Sequence, residues 1–189
     1  MINSHALNIE GVILAGGQGR RMGFKDKGLI HYQGATLVSQ LIDKLTPQVS
    51  QLSIIANQNH DRYREYQLPV YQDEQEGFLG PLAGIATAMQ YCQTPLLMVT
   101  PCDSPHLPND LVEKLYQGLT LNQADIAIAC DEHKEHAVVM LVKINLFDNL
   151  KQYLASGERR VTRWYQALNY TKVFFDKHHF VNLNSSDMI

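Results

Sequence analysis

Apolar residues fall into two rhythms along this chain. Short unbroken runs at Gly11–Ala15, Leu52–Ala56, Leu68–Tyr71 and Pro95–Thr100 predict buried strands. The last holds Leu96-Leu-Met-Val99, apolar throughout, as in a strand covered on both faces. Between these runs the spacing becomes helical. Leu37, Leu41, Ile42 and Leu45 recur at helical intervals, with Thr36 placed to cap. His60–Tyr66 predicts a short helix. Leu82–Tyr91 predicts a longer one reached through Gly80-Pro81, and Pro108–Gln117 another, with Asn109 or Asp110 near its first turn. The last third is less regular. Asp125–Ala129 and Ala137–Lys143 read as strands around the polar turn Asp131–His136. Ile144–Ala155 and Arg160–Leu168 read as helices, and Thr171–Phe175 as a final strand. Strands alternating with helices imply an α/β fold: a mostly parallel central sheet with helices on both faces. Ligands of such sheets sit beyond the carboxyl ends of the strands. The loop after Ala15, Asn57, Asp73 and Asp103 all follow strand ends, which places them in one crevice.

Length and charge narrow the classes. At 189 residues the chain reads as one domain with a sizeable core. A net charge of -3 argues against a general nucleic-acid binder. Cys92, Cys102 and Cys130 are odd in number and include no C-x-x-C, so neither a disulfide framework nor a structural zinc site is expected. Met1–Glu10 has no basic region before a long apolar segment, and Val12–Ala15 is too short to span a membrane. The expectation is a soluble, cytoplasmic chain with no membrane partner.

The chemistry concentrates in Leu14-Ala-Gly-Gly-Gln-Gly-Arg-Arg-Met-Gly-Phe-Lys-Asp-Lys27. A strand emptying into glycines and cations suits a polyphosphate: backbone N–H groups can turn to the ligand while Arg and Lys supply charge. Two familiar phosphate loops do not fit. Gly17 and Gly23 are badly spaced for a P-loop, and no Lys-Ser or Lys-Thr follows. The glycines at 17, 19 and 23 miss the dinucleotide fingerprint, and the next strand ends in Asn57-Gln58-Asn59 rather than an acid.

The pattern LAGG-x-G-x-RMG-x-x-K resembles the nucleotidyltransferases that join a nucleoside monophosphate to a phosphorylated acceptor. Gly16–Gly23 with Asp26-Lys27-Gly28 resembles the molybdenum cofactor guanylyltransferases in particular. Asp73 followed by Gly80-Pro-Leu-Ala-Gly84, the tip Pro101-Cys-Asp-Ser-Pro105, the late Gly157-Glu-Arg-Arg-Val161 and the terminal Phe180-Val-Asn-Leu-Asn184 extend the resemblance over nearly the whole chain. It implies a Rossmann-like nucleotidyltransferase fold. Residues to about 120 would bind nucleotide, and those from about 121 to 189 the acceptor. It also implies GTP as donor, the molybdenum–molybdopterin cofactor as acceptor, Mg²⁺ as metal, and cofactor-delivery proteins and molybdoenzymes as partners.

Site residues follow from the same motifs. Lys27 with Arg21 would stabilise charge on the leaving pyrophosphate, Arg20 being the other candidate; a solvated lysine is the plain alternative for Lys27. Asp103, at the tip of the fourth strand, would hold Mg²⁺, a hard cation suited to carboxylate and phosphate oxygens. GTP would touch Leu14, Ala15, Gly16, Gly17, Asn57, Asp73, Gly80, Pro81 and Leu82. An aspartate suits the paired N–H donors of guanine, and the motif leaves open whether Asp73 meets base or ribose. Arg159, Arg160, Asn182 and Asn184 would face the pterin, although a salt-bridged helix surface accounts equally for the two arginines. His133 and His136 read as part of a solvated turn. His136 occupies a histidine position of the family, but Ala137 stands where proline usually follows. Ser185-Ser-Asp187 departs from the family's Thr-Pro-Glu. No Ser–His or Cys–His arrangement appears, in keeping with a phosphate nucleophile that is already ionised. The rival readings are a cytidylyl- or sugar-phosphate nucleotidyltransferase and a non-catalytic nucleotide-binding regulator.

Overall fold

The computed structural model describes residues 8–15, 26–73 and 80–181. Seven strands form the main sheet, in the order β5-β4-β1-β6-β8-β7-β9. They are β1 (Ile9–Leu14), β4 (Gln51–Ile55), β5 (Val70–Tyr71), β6 (Leu96–Pro101), β7 (Ile126–Cys130), β8 (Glu135–Lys143) and β9 (Tyr170–Phe174). β1 pairs in parallel with β4 and β6, β4 with β5, and β7 with β9. Only β8 runs against its neighbours, antiparallel to both β6 and β7. The sheet is thus mostly parallel, as the alternation predicts.

Helices cover both faces because successive strand residues point to opposite sides. Ile9 and Ile13 of β1 with Met98 of β6 join one apolar cluster. It includes Val38, Leu41 and Leu45 of α1 (Leu37–Leu45), Tyr63 of α2 (His60–Arg64), and Leu111, Leu115 and Leu119 of α4 (Leu111–Leu121). Val12, Leu97 and Val99 face the other way. There they meet Leu82, Ile85 and Met89 of α3 (Pro81–Tyr91), Leu150 and Leu154 of α5 (Phe147–Ala155), and Trp164 and Tyr165 of α6 (Val161–Gln166). Trp164, Tyr63 and Tyr165 are the bulkiest fully buried side chains among the described residues.

Thr36 caps α1, its hydroxyl oxygen accepting the Ser39 amide at 3.2 Å. α4 begins and ends a few residues later than its pattern suggests. The helix over Ile144–Ala155 divides into a 3₁₀ turn, Ile144–Leu146, and α5. A small hairpin, β2 (His31–Tyr32) with β3 (Ala35–Thr36), has no counterpart in the sequence reading. Its turn places Gln33 and Gly34 at φ 51° and 90°, the left-handed pair that a two-residue hairpin loop requires. Among the described residues no helix is long and apolar enough to cross a membrane.

Candidate active site

The carboxyl ends of β5, β4, β1 and β6 lie side by side, and the backbone bonds continue past them. The Ala15 amide donates to Ile55 O at 2.8 Å, Ala56 N to Tyr71 O at 2.9 Å, and Cys102 N to Leu14 O at 3.1 Å. Leu14, Ala15, Asn57, Asp73 and Asp103 are therefore brought to one edge, a few strand widths apart.

Two polar pairs stand on that edge. The first joins Lys27 to Asp103. Lys27 opens a 3₁₀ turn, Lys27–Leu29, and its Nζ donates to Asp103 Oδ2 at 3.1 Å. The side chains are 30% and 19% exposed, so both remain within reach of a ligand. The 76 residues between them make this a product of the fold. Cys102 beside them is buried. Burial first, then the neighbouring Asp103 charge, pushes its thiol up to about 12. It stays protonated and serves as packing.

The second pair is reciprocal. Asn57 Nδ2 donates to Asp73 Oδ2 at 2.8 Å, and the Asp73 amide donates to Asn57 Oδ1 at 3.0 Å. This amide clasp fixes the carboxylate at the end of β5. The other oxygen, Asp73 Oδ1, is buried with no hydrogen-bond partner among the described residues. Burial raises the Asp73 carboxyl above the usual carboxylate range, against the opposing Asn57 bond. An acceptor kept this way is suited to a ligand donor. Gly84, on α3, leaves that oxygen room, since a Cβ there would stand 3.4 Å from it and 3.2 Å from Leu14 Cδ2. Gly80 precedes α3 at φ 82°, a backbone open to glycine and strained for other residues. Pro81 then occupies the first helical position, where its missing N–H costs nothing. Leu82 is fully buried, so its side chain belongs to the core.

The metal expectation has a specific form here. Among the described residues no three His, Cys, Asp or Glu side chains converge as a metal cage. Asp103 alone, presented at a strand tip, fits a Mg²⁺ that takes one carboxylate and fills its shell with phosphate oxygens and water.

Gly16, Gly17, Arg20, Arg21, Asn182 and Asn184 lie outside the described residues. Arg159 is engaged within the chain: its Nη1 donates to Leu154 O at 2.6 Å and to Glu158 O at 2.7 Å, closing the end of α5. A guanidinium on carbonyls at a helix C-terminus complements the dipole there. Arg160 precedes α6 with an exposed side chain. The solvated-turn reading holds for His133 and fails for His136. His136 is buried in β8, its Nε2 lies 2.8 Å from Asp131 Oδ2, and its ring stacks on Phe180 with centroids 4.0 Å apart. Sequence reasoning also missed Asp26. This buried carboxylate accepts from Tyr63 Oη at 2.5 Å and Asn59 Nδ2 at 3.1 Å. The only local signal was its place beside Lys27, because both partners come from the far side of α1 and β4.

Residues 11–171 match the model of the MobA-like NTP transferase domain, which makes the chain a nucleotidyltransferase. The chain is 44% identical over 186 residues to the molybdenum cofactor guanylyltransferase of Shewanella amazonensis, covering 97% of this chain and 95% of that one. It is 45% identical over 179 residues to that of Shewanella baltica, covering 95% and 86%. The chain belongs to the molybdenum cofactor guanylyltransferase family, whose enzymes transfer GMP in molybdenum cofactor biosynthesis. A solved structure described as molybdopterin-guanine dinucleotide biosynthesis protein A from Archaeoglobus fulgidus shares the fold. Its TM-score is 0.78 at 22% identity, covering 95% of this chain and 94% of that one.

Proposed function

We propose that this cleft binds GTP across the ends of β5, β4, β1 and β6 and transfers GMP to the terminal phosphate of molybdenum–molybdopterin. Asp73 Oδ1 accepts from the guanine N–H donors while Asn57 holds the carboxylate in place. Leu14, Ala15 and the backbone of Gly80-Pro81-Leu82 line the nucleotide, and Gly16, Gly17 and Arg21 are assigned to the triphosphate. An acceptor phosphate oxygen attacks the α-phosphorus, a new P–O bond forms, the bond to the β-phosphate oxygen breaks, and pyrophosphate leaves. Lys27 meets the charge that grows on that leaving group. Asp103 holds the metal, and Mg²⁺ when bound offsets charge on the phosphate oxygens. The attacking phosphate is ionised near neutral pH, so the chain needs to provide position and charge rather than a strong base.

The observation that carries this reading is the 3.1 Å contact of Lys27 with Asp103 at the strand tips. A lysine that closes the triphosphate loop and a carboxylate suited to Mg²⁺ are thereby at one place. Residues to about 120 serve the nucleotide. The later part serves the acceptor, with Arg160, Asn182 and Asn184 facing the pterin and Arg159 shaping the loop through its carbonyl bonds. All three cysteines are free thiols, in keeping with a reducing cytoplasmic setting. The test mixes the protein with GTP, Mg²⁺ and loaded molybdopterin and follows pyrophosphate. Release that requires all three components supports the reading. GTP binding without release under those conditions would leave a nucleotide-binding regulator instead.

A further inference from the structure

A buried polar cluster that the mechanism does not use lies next to Lys27 in the chain. Asp26 is buried, and both its carboxylate oxygens are engaged: Oδ1 by Tyr63 Oη at 2.5 Å, Oδ2 by Asn59 Nδ2 at 3.1 Å. Its carbonyl accepts the Leu29 amide at 3.2 Å, and the Lys27 carbonyl accepts the Ile30 amide at 3.1 Å, closing the 3₁₀ turn. Tyr63 is itself fully buried on α2. Burial and the adjacent Asp26 charge push its phenol far above its ordinary value, so it remains a donor at any working pH. Gly28 lies against this hydroxyl, and a Cβ at that position would collide with it. Asn59 sits at φ 53°, which aims its amide while α2 departs from the same residue. The residues on either side of Lys27 are thus tied to α2 and to Asn59, the residue that precedes it.

We propose that Tyr63 and Asn59, acting through Asp26, are positioning residues that hold Lys27 at Asp103. The inference rests on the reading that Lys27 serves the triphosphate. A lysine side chain has four rotatable bonds and a mobile ammonium. Its reach to Asp103 is fixed only if the backbone that carries it is fixed. Two hydrogen bonds to one buried carboxyl group, from Tyr63 and Asn59, supply that restraint. The walls of the crevice are set by strands, whereas Lys27 opens a 3₁₀ turn outside the main sheet, and α2 ties that turn down.

The test is a double-mutant cycle on the full chain, reading steady-state pyrophosphate release with GTP and loaded molybdopterin, alongside thermal melts. Tyr63→Phe keeps the ring and its packing and removes only the hydroxyl. Turnover should fall by about tenfold to a hundredfold, the range expected when a reacting group is misplaced, with the melting temperature within a few degrees of the parent. Lys27→Ala should be at least as slow. The double variant should be no slower than Lys27→Ala alone, because the hydroxyl has nothing left to position. Asn59→Gly provides a second arm: glycine keeps the left-handed backbone and removes the amide, and it should show the same dependence on Lys27. If Lys27→Ala turns over at the parent rate, the lysine reading itself fails and the positioning role falls with it. If Lys27→Ala is slow while Tyr63→Phe and Asn59→Gly match the parent, the lysine reading stands and the positioning role is overturned. Effects that multiply in the double variants overturn it as well, since they would mark a general structural loss.

Discussion

Two carboxylates at strand tips, Asp103 and Asp73, are held in opposite ways, and the roles proposed for them differ accordingly. Asp103 is paired with a cation and partly open, whereas Asp73 is clasped by a neutral amide and keeps a buried oxygen with no partner among the described residues. Asp103→Asn removes the charge and keeps the shape. The partly exposed ion pair it breaks contributes about 0–1 kcal/mol, so melting should move little while turnover falls by orders of magnitude at ordinary Mg²⁺. Pyrophosphate release against Mg²⁺ concentration checks this, and parent-like activity at low Mg²⁺ would remove Asp103 from the metal's shell. Asp73→Asn acts on selectivity. An amide in that place presents a donor toward guanine donors, so calorimetry should show the preference for GTP over ATP shrinking by roughly 1–3 kcal/mol. An unchanged preference would mean that Asp73 does not read the base. Both aspartates are legible in sequence because each follows an apolar run and a turn signal. Asp26 is not, because its meaning depends on Tyr63, 37 residues away, and nothing in Asp-Lys-Gly announces a buried carboxylate.

The elements differ in how far local signals determine them. α1 is set by its apolar spacing and by Thr36, both local, and the chain follows them. The short strands β2 and β3 escape a periodicity argument because two residues have no period. The β7–β8 turn shows the opposite failure. Asp131-Glu-His-Lys-Glu-His136 is polar enough to read as solvated, yet it is buried at both ends by β8 pairing and by Phe180, a contact remote in sequence. Burial alone would raise the Asp131 carboxyl. The His133 and Lys134 amides, at 2.7 and 2.9 Å, and the His136 ring outweigh it and hold the group down to about 2. A carboxylate whose folded value lies below its unfolded one stabilises the fold at higher pH, and that contribution disappears as pH falls from the unfolded value through the folded one. Burial also lowers His136, so protonating it opposes folding as well. Denaturant midpoints measured between pH 5 and pH 2 should therefore drop steeply for the parent, beginning near pH 4. Asp131→Asn should be weaker at pH 5 and flatter across that window. A parent-like slope in the variant would show that other groups govern the acid limb.

At the scale of the molecule, one strand joins two kinds of pairing. β6 takes β1 in parallel on one side and β8 antiparallel on the other, and it ends in the tip that carries Asp103. The parallel part was legible from strand–helix alternation. The reversal at β8 was not, because the polar turn before it is compatible with either direction of return. The same arrangement imposes an order on synthesis. β5, β4, β1 and β6 all lie before residue 102, whereas β8 is made only after α4 and β7. Until β8 leaves the ribosome, Leu96-Leu-Met-Val99 presents an open strand edge with apolar side chains on both faces, the kind of surface on which nascent chains associate wrongly. β7 cannot cover it, since β7 reaches the sheet only through β8. Released chains ending at Cys130 should sediment with aggregates or with an added holdase chaperone, while chains ending at Ala155 should remain largely in the supernatant. Equal sedimentation of the two would show that the β6 edge is protected in some other way. The strand that ends in the Asp103 tip is thus left with one open edge until the chain has been made through β8.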